Sequence, residues 1–270
     1  MEEKVRLYVS RKFNLAEEEF SIHEINRLKE SCYQLTWFST ADEYLKMFIW
    51  NGKAIIEYLD SCKDGVEKLD FVRLNLLSHN FLSTFYSWKE FWLSGYRKQL
   101  ANHFFVEKSE NFYLRLGHYL RNYSIHQMLP VTSISRHLTN NNIEVWIDPA
   151  LLLMNKRPKD SDIEMYLNEL VSSKKMIDLR QFEKSLFESV IKLLNDVILP
   201  MVISLSEEPI KIIEKVSRDH QVGDIKYFDE RIASKECSAV YILKSFVDKY
   251  YPSEHPIHKS FIDPWNQTGL

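Results

Sequence analysis

The stretch VEKLDFVRLNLLSHNFLSTFYSWKEFWLSGYRKQL, residues 66–100, decides the fold class. Leu74, Leu77, Phe81, Phe85, Trp88 and Trp92 return at steps of three and four residues. That is the period of one face of an α-helix, sustained for about five turns, whereas a strand would alternate in twos. The spacing predicts a long helix with its end or a kink at Gly95. Aromatic and basic residues interleave over 86–98, a pattern that can stack nucleic-acid bases. Trp88 and Trp92 share the apolar arc, however, and that assigns them to packing.

The composition agrees with helices. Only six glycines and eight prolines punctuate 270 residues, too few for an all-β chain that must turn every ten residues or so. Hydrophobic residues at 45% and charged residues at 27% describe a globular protein able to bury a sizeable core. The net charge of −3 argues against a coat-like or nonspecific nucleic-acid binder, although a local patch can still hold a few nucleotides. Cys32, Cys62 and Cys237 are odd in number and far apart, so they read as thiols in a reducing compartment. The most apolar run, 190–205, is broken by Lys192, Asn195, Asp196 and Pro200, and no signal-peptide core opens the sequence. The expected setting is cytoplasmic, with no membrane contact.

Toward the N-terminus the chain reads as helical to about residue 63. Phe20, Ile22, Ile25 and Leu28 sit at broadly helical spacing, and a second helix is expected from Thr40, with Ser39 or Thr40 as its cap and Lys63-Asp64-Gly65 as its stop. Downstream, SENFYLRLGHYLRNYSIHQ (109–127) is the next expected helix, capped by Ser109 with Glu110 and ended by Pro130. Then VTSIS and IEVWI, β-branched runs around an Asn-rich turn, predict a β-hairpin at about 131–147. Helices are expected at 161–175, at 178–199 (capped by Asp178, stopped by Pro200), at 207–220 and at 235–249, with a short strand at 224–228 and an irregular tail. The chain thus reads as mainly α, in three parts. An N-terminal helical segment, 1–63, packs on a helical core, 64–200, and a C-terminal extension follows at 201–270.

The residues that point to chemistry cluster in 109–127. On a helical wheel Phe112, Leu116, Tyr119, Leu120 and Tyr123 form one apolar arc, and Leu114, Ile125 and Met128 lie roughly opposite with Arg121 among them. Between the arcs fall Arg115, Asn122 and His126, the last two an i, i+4 pair. A histidine in a last helical turn also has an ordinary role, meeting the negative end of the helix, and an arginine beside an apolar stripe can simply lay its stem along it.

Leu120-Arg121-Asn122-Tyr123-x-x-His126, ending at Leu129-Pro130, resembles the signature R-x4-6-H of the HEPN (higher eukaryote and prokaryote nucleotide-binding) superfamily. The preceding helix, with LNLLSHNFLSTF at 74–85, is similar to the helix that pairs with the motif helix there, and the order that follows, Leu-Pro-Val, a short β stretch and Ile-Asp-Leu at 177–179, is similar too. The resemblance covers roughly 40–200. It implies an antiparallel helical bundle and, in many members, a metal-independent endoribonuclease that dimerises so that two motifs face one cleft. Arg121 and His126 would then be the catalytic pair, with Asn122, Asn80 and Arg115 toward the substrate. No metal or cofactor is called for. The expected partner is RNA, tRNA or mRNA, and a second copy of the chain. The company such proteins keep is phage defence and toxin-like systems. Toxin-type members often carry a tyrosine two residues after the histidine; Met128 stands there and departs from that branch. Other members have lost catalysis and serve as helical dimerisation or interaction proteins of phages and mobile elements, which is the alternative reading.

The chemistry suits the residue types. Histidine is the side chain whose ordinary pKa lets it move protons near neutrality, and a permanently charged guanidinium can stabilise a phosphorane. Other candidates carry less. Glu254, His255 and His258 are split by Pro256, Asp160, Asp162 and Glu164 read as a helix start, and no glycine-rich phosphate loop or nucleophile elbow occurs.

Overall fold

In a computed structural model of the chain the described residues are 4–11, 14–62, 69–105, 111–129, 131–136, 143–218, 225–226 and 247–250. They are mainly α-helical, and their contacts divide them into two compact units, Met1–Thr40 with Asp196–Leu270, and Ala41–Asn195. The sequence placed its breaks at 63/64 and 200/201 instead.

The first unit opens with strands where a helix was expected. β1 (Lys4–Arg11) and β2 (Asn14–Ser21) pair antiparallel from Lys4↔Ser21 to Arg11↔Asn14. The sequence KVRLYVSR alternates Val5, Leu7 and Val9 with polar or aromatic neighbours, a period of two, and the helical spacing read from Phe20 onward takes hold only at Ile22. The expected strand at 224–228 forms over β6 (Ile225–Lys226), which pairs with β1 at Tyr8↔Lys226 and Val9↔Ile225. The sheet order is β2-β1-β6. Of the helix expected at 235–249, residues 247–249 are described and helical, and 235–246 lie outside the described residues. The Tyr250 hydroxyl donates to the Phe38 carbonyl at 3.3 Å.

α1 (Ile22–Ser61) runs unbroken through the point where a new helix was expected. Thr40 does not cap: its hydroxyl donates to the Thr36 carbonyl one turn back at 3.1 Å, which satisfies it inside a continuing helix. Asp42 and Glu43 flank Lys46 at 3.2 and 2.7 Å rather than facing a helix start. Pro200 likewise fails to stop a helix. α6 (Leu179–Leu193) passes into a π-helical turn, Leu194–Ile198, and α7 (Leu199–Arg218) follows at once. Proline lacks the N–H for a bond four residues back and its ring crowds that carbonyl; widening the preceding turn relieves both.

The second unit is a helical bundle with a small sheet. α2 (Phe71–Phe105) kinks at Tyr96, beside Ser94-Gly95. It lies antiparallel to α1: Tyr44 meets Phe91, Phe48 stacks on Phe81 at 4.7 Å, and the Tyr58 hydroxyl meets the backbone N–H of Asp70 at 2.6 Å. A β-carbon at Gly52 would stand 3.1 Å from the Phe81 ring, so the glycine sets how closely the two helices approach. Trp88 and Trp92 are buried, as the packing assignment requires. The expected hairpin forms as β3 (Val131–Arg136) and β4 (Ile143–Ile147), and β5 (Ile177–Asp178) adds a third antiparallel strand. Asp178 caps α6 through the Arg180 N–H at 3.0 Å, as expected. A short helix that the sequence reading passed over, α4 (Pro149–Asn155), is started by Asp148, whose carboxylate accepts from Ala150 and Leu151, and by Pro149 in its first turn. Asp160 caps α5 (Ser161–Ser172) in the same way, accepting from Asp162 and Ile163.

Candidate functional site

α3 (Phe112–Ser124) carries the motif. Its apolar arc is buried through Leu116, Tyr119, Leu120 and Tyr123, as the helical wheel requires. Leu114 is buried too, whereas Ile125 and Met128 are exposed. A β-carbon at Gly117 would stand 3.0 Å from a Leu186 methyl and 3.3 Å from the Phe85 ring, so α3 fits closely between α2 and α6. The expected cap residues Ser109 and Glu110 lie outside the described residues, and Asn111 occupies the cap position without a side-chain capping bond. α3 runs antiparallel to α2: His118 meets Lys89, and six residues on Ser124 meets His79. The helix ends at Ser124, short of His126. The backbone then turns, with the His126 N–H bonded to the Tyr123 carbonyl at 3.1 Å.

Two hollows open beside α3. The first, about 430 Å³, lies among the end of α2, α3 and the segment 156–160, with Phe105, Arg115, His118, Asn122, Lys156 and Lys159 in its wall. Arg115 is held there by ion pairs to Asp160 and Asp162 and is 4% exposed. The Tyr119 hydroxyl donates to the Lys156 carbonyl at 2.7 Å, and Lys156 Nζ donates to the Asn122 carbonyl at 2.9 Å, which fixes this wall to α3. Behind the wall runs a chain of polar groups whose protons can be assigned. Arg121 Nη1 can only donate, and it lies 3.1 Å from Asn122 Oδ1. The Asn122 amide nitrogen therefore faces His118 Nε2 at 3.0 Å and donates to it. The other ring nitrogen, Nδ1, is 2.8 Å from Lys89 Nζ. Burial, at 1% exposure, lowers the pKa of Lys89, against the pull of Glu90 at 3.1 Å. Burial first and the charge of Lys89 next, with Arg121 and Lys156 adding and Glu90 opposing, lower His118 to about 4.

The second hollow, about 390 Å³, lies between the start of α2 and the turn after α3. His79, Ser124 and His126 line it, with Val72, Leu76 and Met128. The His79 ring is held between two hydroxyls, Ser124 at 3.3 Å and Ser83 at 3.4 Å. His126 is exposed, and its imidazole makes no hydrogen bond among the described residues.

The five residues expected from the motif fall into four places. Arg115 and Asn122 line the first hollow, and His126 lines the second. Arg121 lines neither; its guanidinium lies on the Tyr86 ring, and its Nε is buried without a hydrogen-bond partner among the described residues. Asn80 is exposed on α2. Asn122 pairs with His118, one turn back, rather than with His126, because α3 ends before the i, i+4 geometry to 126 is completed. Lys89, His118 and Lys156 escaped the sequence reading. The i, i+4 spacing of His118 and Asn122 was the available signal.

No protein-family model, curated protein or solved structure matches this chain. The chemistry of the two hollows stands on their own side chains. Among the described residues no helix is long and apolar enough to cross a membrane.

Proposed function

We propose that this chain is a metal-independent endoribonuclease of the HEPN type that works as a homodimer. The observation that carries the reading is the exposed, unbonded imidazole of His126 just past the end of the motif helix, in a hollow that also holds His79. In the proposed reaction a ribose 2′-hydroxyl attacks the adjacent phosphorus as its proton passes to an imidazole. The bond from phosphorus to the 5′-oxygen breaks, and that oxygen leaves with a proton. The products are a 2′,3′-cyclic phosphate and a 5′-hydroxyl. Arg121 would stabilise the charge that gathers on the phosphorane. Within one copy Arg121 and His126 do not line a common hollow, so the reading requires His126 of one copy to work with Arg121 of the other. Val72, Leu76, Ile125 and Met128 stand exposed around His126, an apolar fringe of the kind a second copy would cover.

A second reading rests on Arg121 itself. Stacked on Tyr86 and bonded to Asn122, it has a structural role between α2 and α3, which fits a noncatalytic dimerisation or interaction protein. Total RNA incubated with the pure chain in EDTA separates the two. The nuclease yields 2′,3′-cyclic ends, loses them in Arg121→Ala and in His126→Ala, and regains part of the activity when those two variants are mixed. An intact RNA pool with the wild type selects the noncatalytic reading, and a mixture as inactive as its components removes the shared site.

A further inference from the structure

The first hollow differs from the second in having cations that no carboxylate matches. Arg115 is held by Asp160 and Asp162, Arg157 by Glu164, and Glu90 by Lys89. Among the described residues the Lys156 ammonium bonds only to the Asn122 carbonyl, and the exposed Lys159 makes no ion pair. Both lysines line a space of about 430 Å³, the size of a small-molecule site, and Phe105, whose exposed ring also meets Lys89 at 5.0 Å and Arg97 at 5.9 Å, stands in the same wall. Lys156 is fixed in place by its carbonyl bond and by the tie from Tyr119, and it keeps N–H groups to spare.

We propose that this hollow binds a small phosphomonoester, its phosphate between Lys156 and Lys159 and a flat apolar portion against Phe105. A phosphate dianion matches two unpaired ammonium groups in charge, and the ring offers the contact that free phosphate cannot use. His118, in the same wall and within the field of Lys156, is a built-in reporter of occupancy. His126 is not in this wall, so its ring signals serve as the internal control.

Phenyl phosphate is the probe, with inorganic phosphate and phenol as partial ligands, titrated into the full chain by calorimetry and by NMR of the histidine ring protons. Phenyl phosphate binds more tightly than inorganic phosphate, phenol does not bind, and the signals of His118 move while those of His126 stay. Lys156→Gln weakens binding by roughly tenfold and Lys159→Gln by several-fold. Lys156→Arg restores most of the loss, which separates lost charge from a damaged wall. Absent binding, affinity unchanged in both glutamine variants, or movement of the His126 signals in place of those of His118 overturns the proposal.

Discussion

The guanidinium carbon of Arg121 stands 3.7 Å from the centre of the Tyr86 ring. The same ring has Lys89 Nζ 4.7 Å from its centroid and stacks on His118 with centroids 5.5 Å apart. One aromatic residue of α2 thus holds three polar side chains whose hydrogen bonds run in sequence along α3. Removing the ring should cost about 1–2 kcal/mol through the lost cation–π contact and more through lost packing. Tyr86→Leu is therefore expected to lower the urea midpoint clearly, and Tyr86→Phe to leave it almost unchanged. Equal effects of the two substitutions would show that the hydroxyl, not the ring face, is what matters.

His118 makes the fold sensitive to acid. Its value in the folded chain is about 4, below the ordinary 6.5, so the unfolded chain binds the proton more tightly. The resulting stability is complete above about 6.5 and is lost as the pH falls through that value toward 4. The full effect is on the order of 3 kcal/mol. His118→Gln removes this dependence. The stability difference between wild type and variant should therefore shrink from pH 7 to pH 4.5 in urea titrations, and a difference that stays constant would mean that His118 does not titrate as described.

The helical core was legible because its signal is long. Leu74 to Trp92 repeats one apolar face for several turns, and the buried positions follow it. The hairpin at β3 and β4 was legible for the same reason in a period of two. The first strands were not, because an acidic run at Glu17 to Glu19 masks the alternation. The positions of Thr40 and Pro200 show another limit: a residue that can cap or stop a helix does so only if the chain around it has no way to continue, and here an i−4 hydroxyl bond and a π turn supply one. At the site, the wheel placed the apolar arc of α3, yet the side on which Arg121 lies is chosen by Tyr86, thirty-five residues away in the chain, and local spacing holds no information about that partner.

Glu183 sets the opposite pH dependence to His118. It is 4% exposed on α6, and neither carboxylate oxygen has a hydrogen-bond partner among the described residues. Burial raises it well above its ordinary value, with Arg180 opposing and Asp178 adding. A carboxyl raised on folding contributes stability at pH values below the ordinary one and loses it as the pH climbs through the folded value. At pH 8 the chain must either bury a charge without a partner or hold a proton it would release on unfolding, and both cost free energy. Glu183→Leu fills the same space with an apolar group, and at pH 8 it should stabilise the fold by about 1–3 kcal/mol. At pH 5 the gain should be smaller, because the wild-type carboxyl is then protonated in the folded chain at little cost. Urea unfolding of both proteins at the two pH values measures this. A leucine variant less stable than wild type at pH 8 would mean that the carboxylate has a role in the folded chain that offsets its burial.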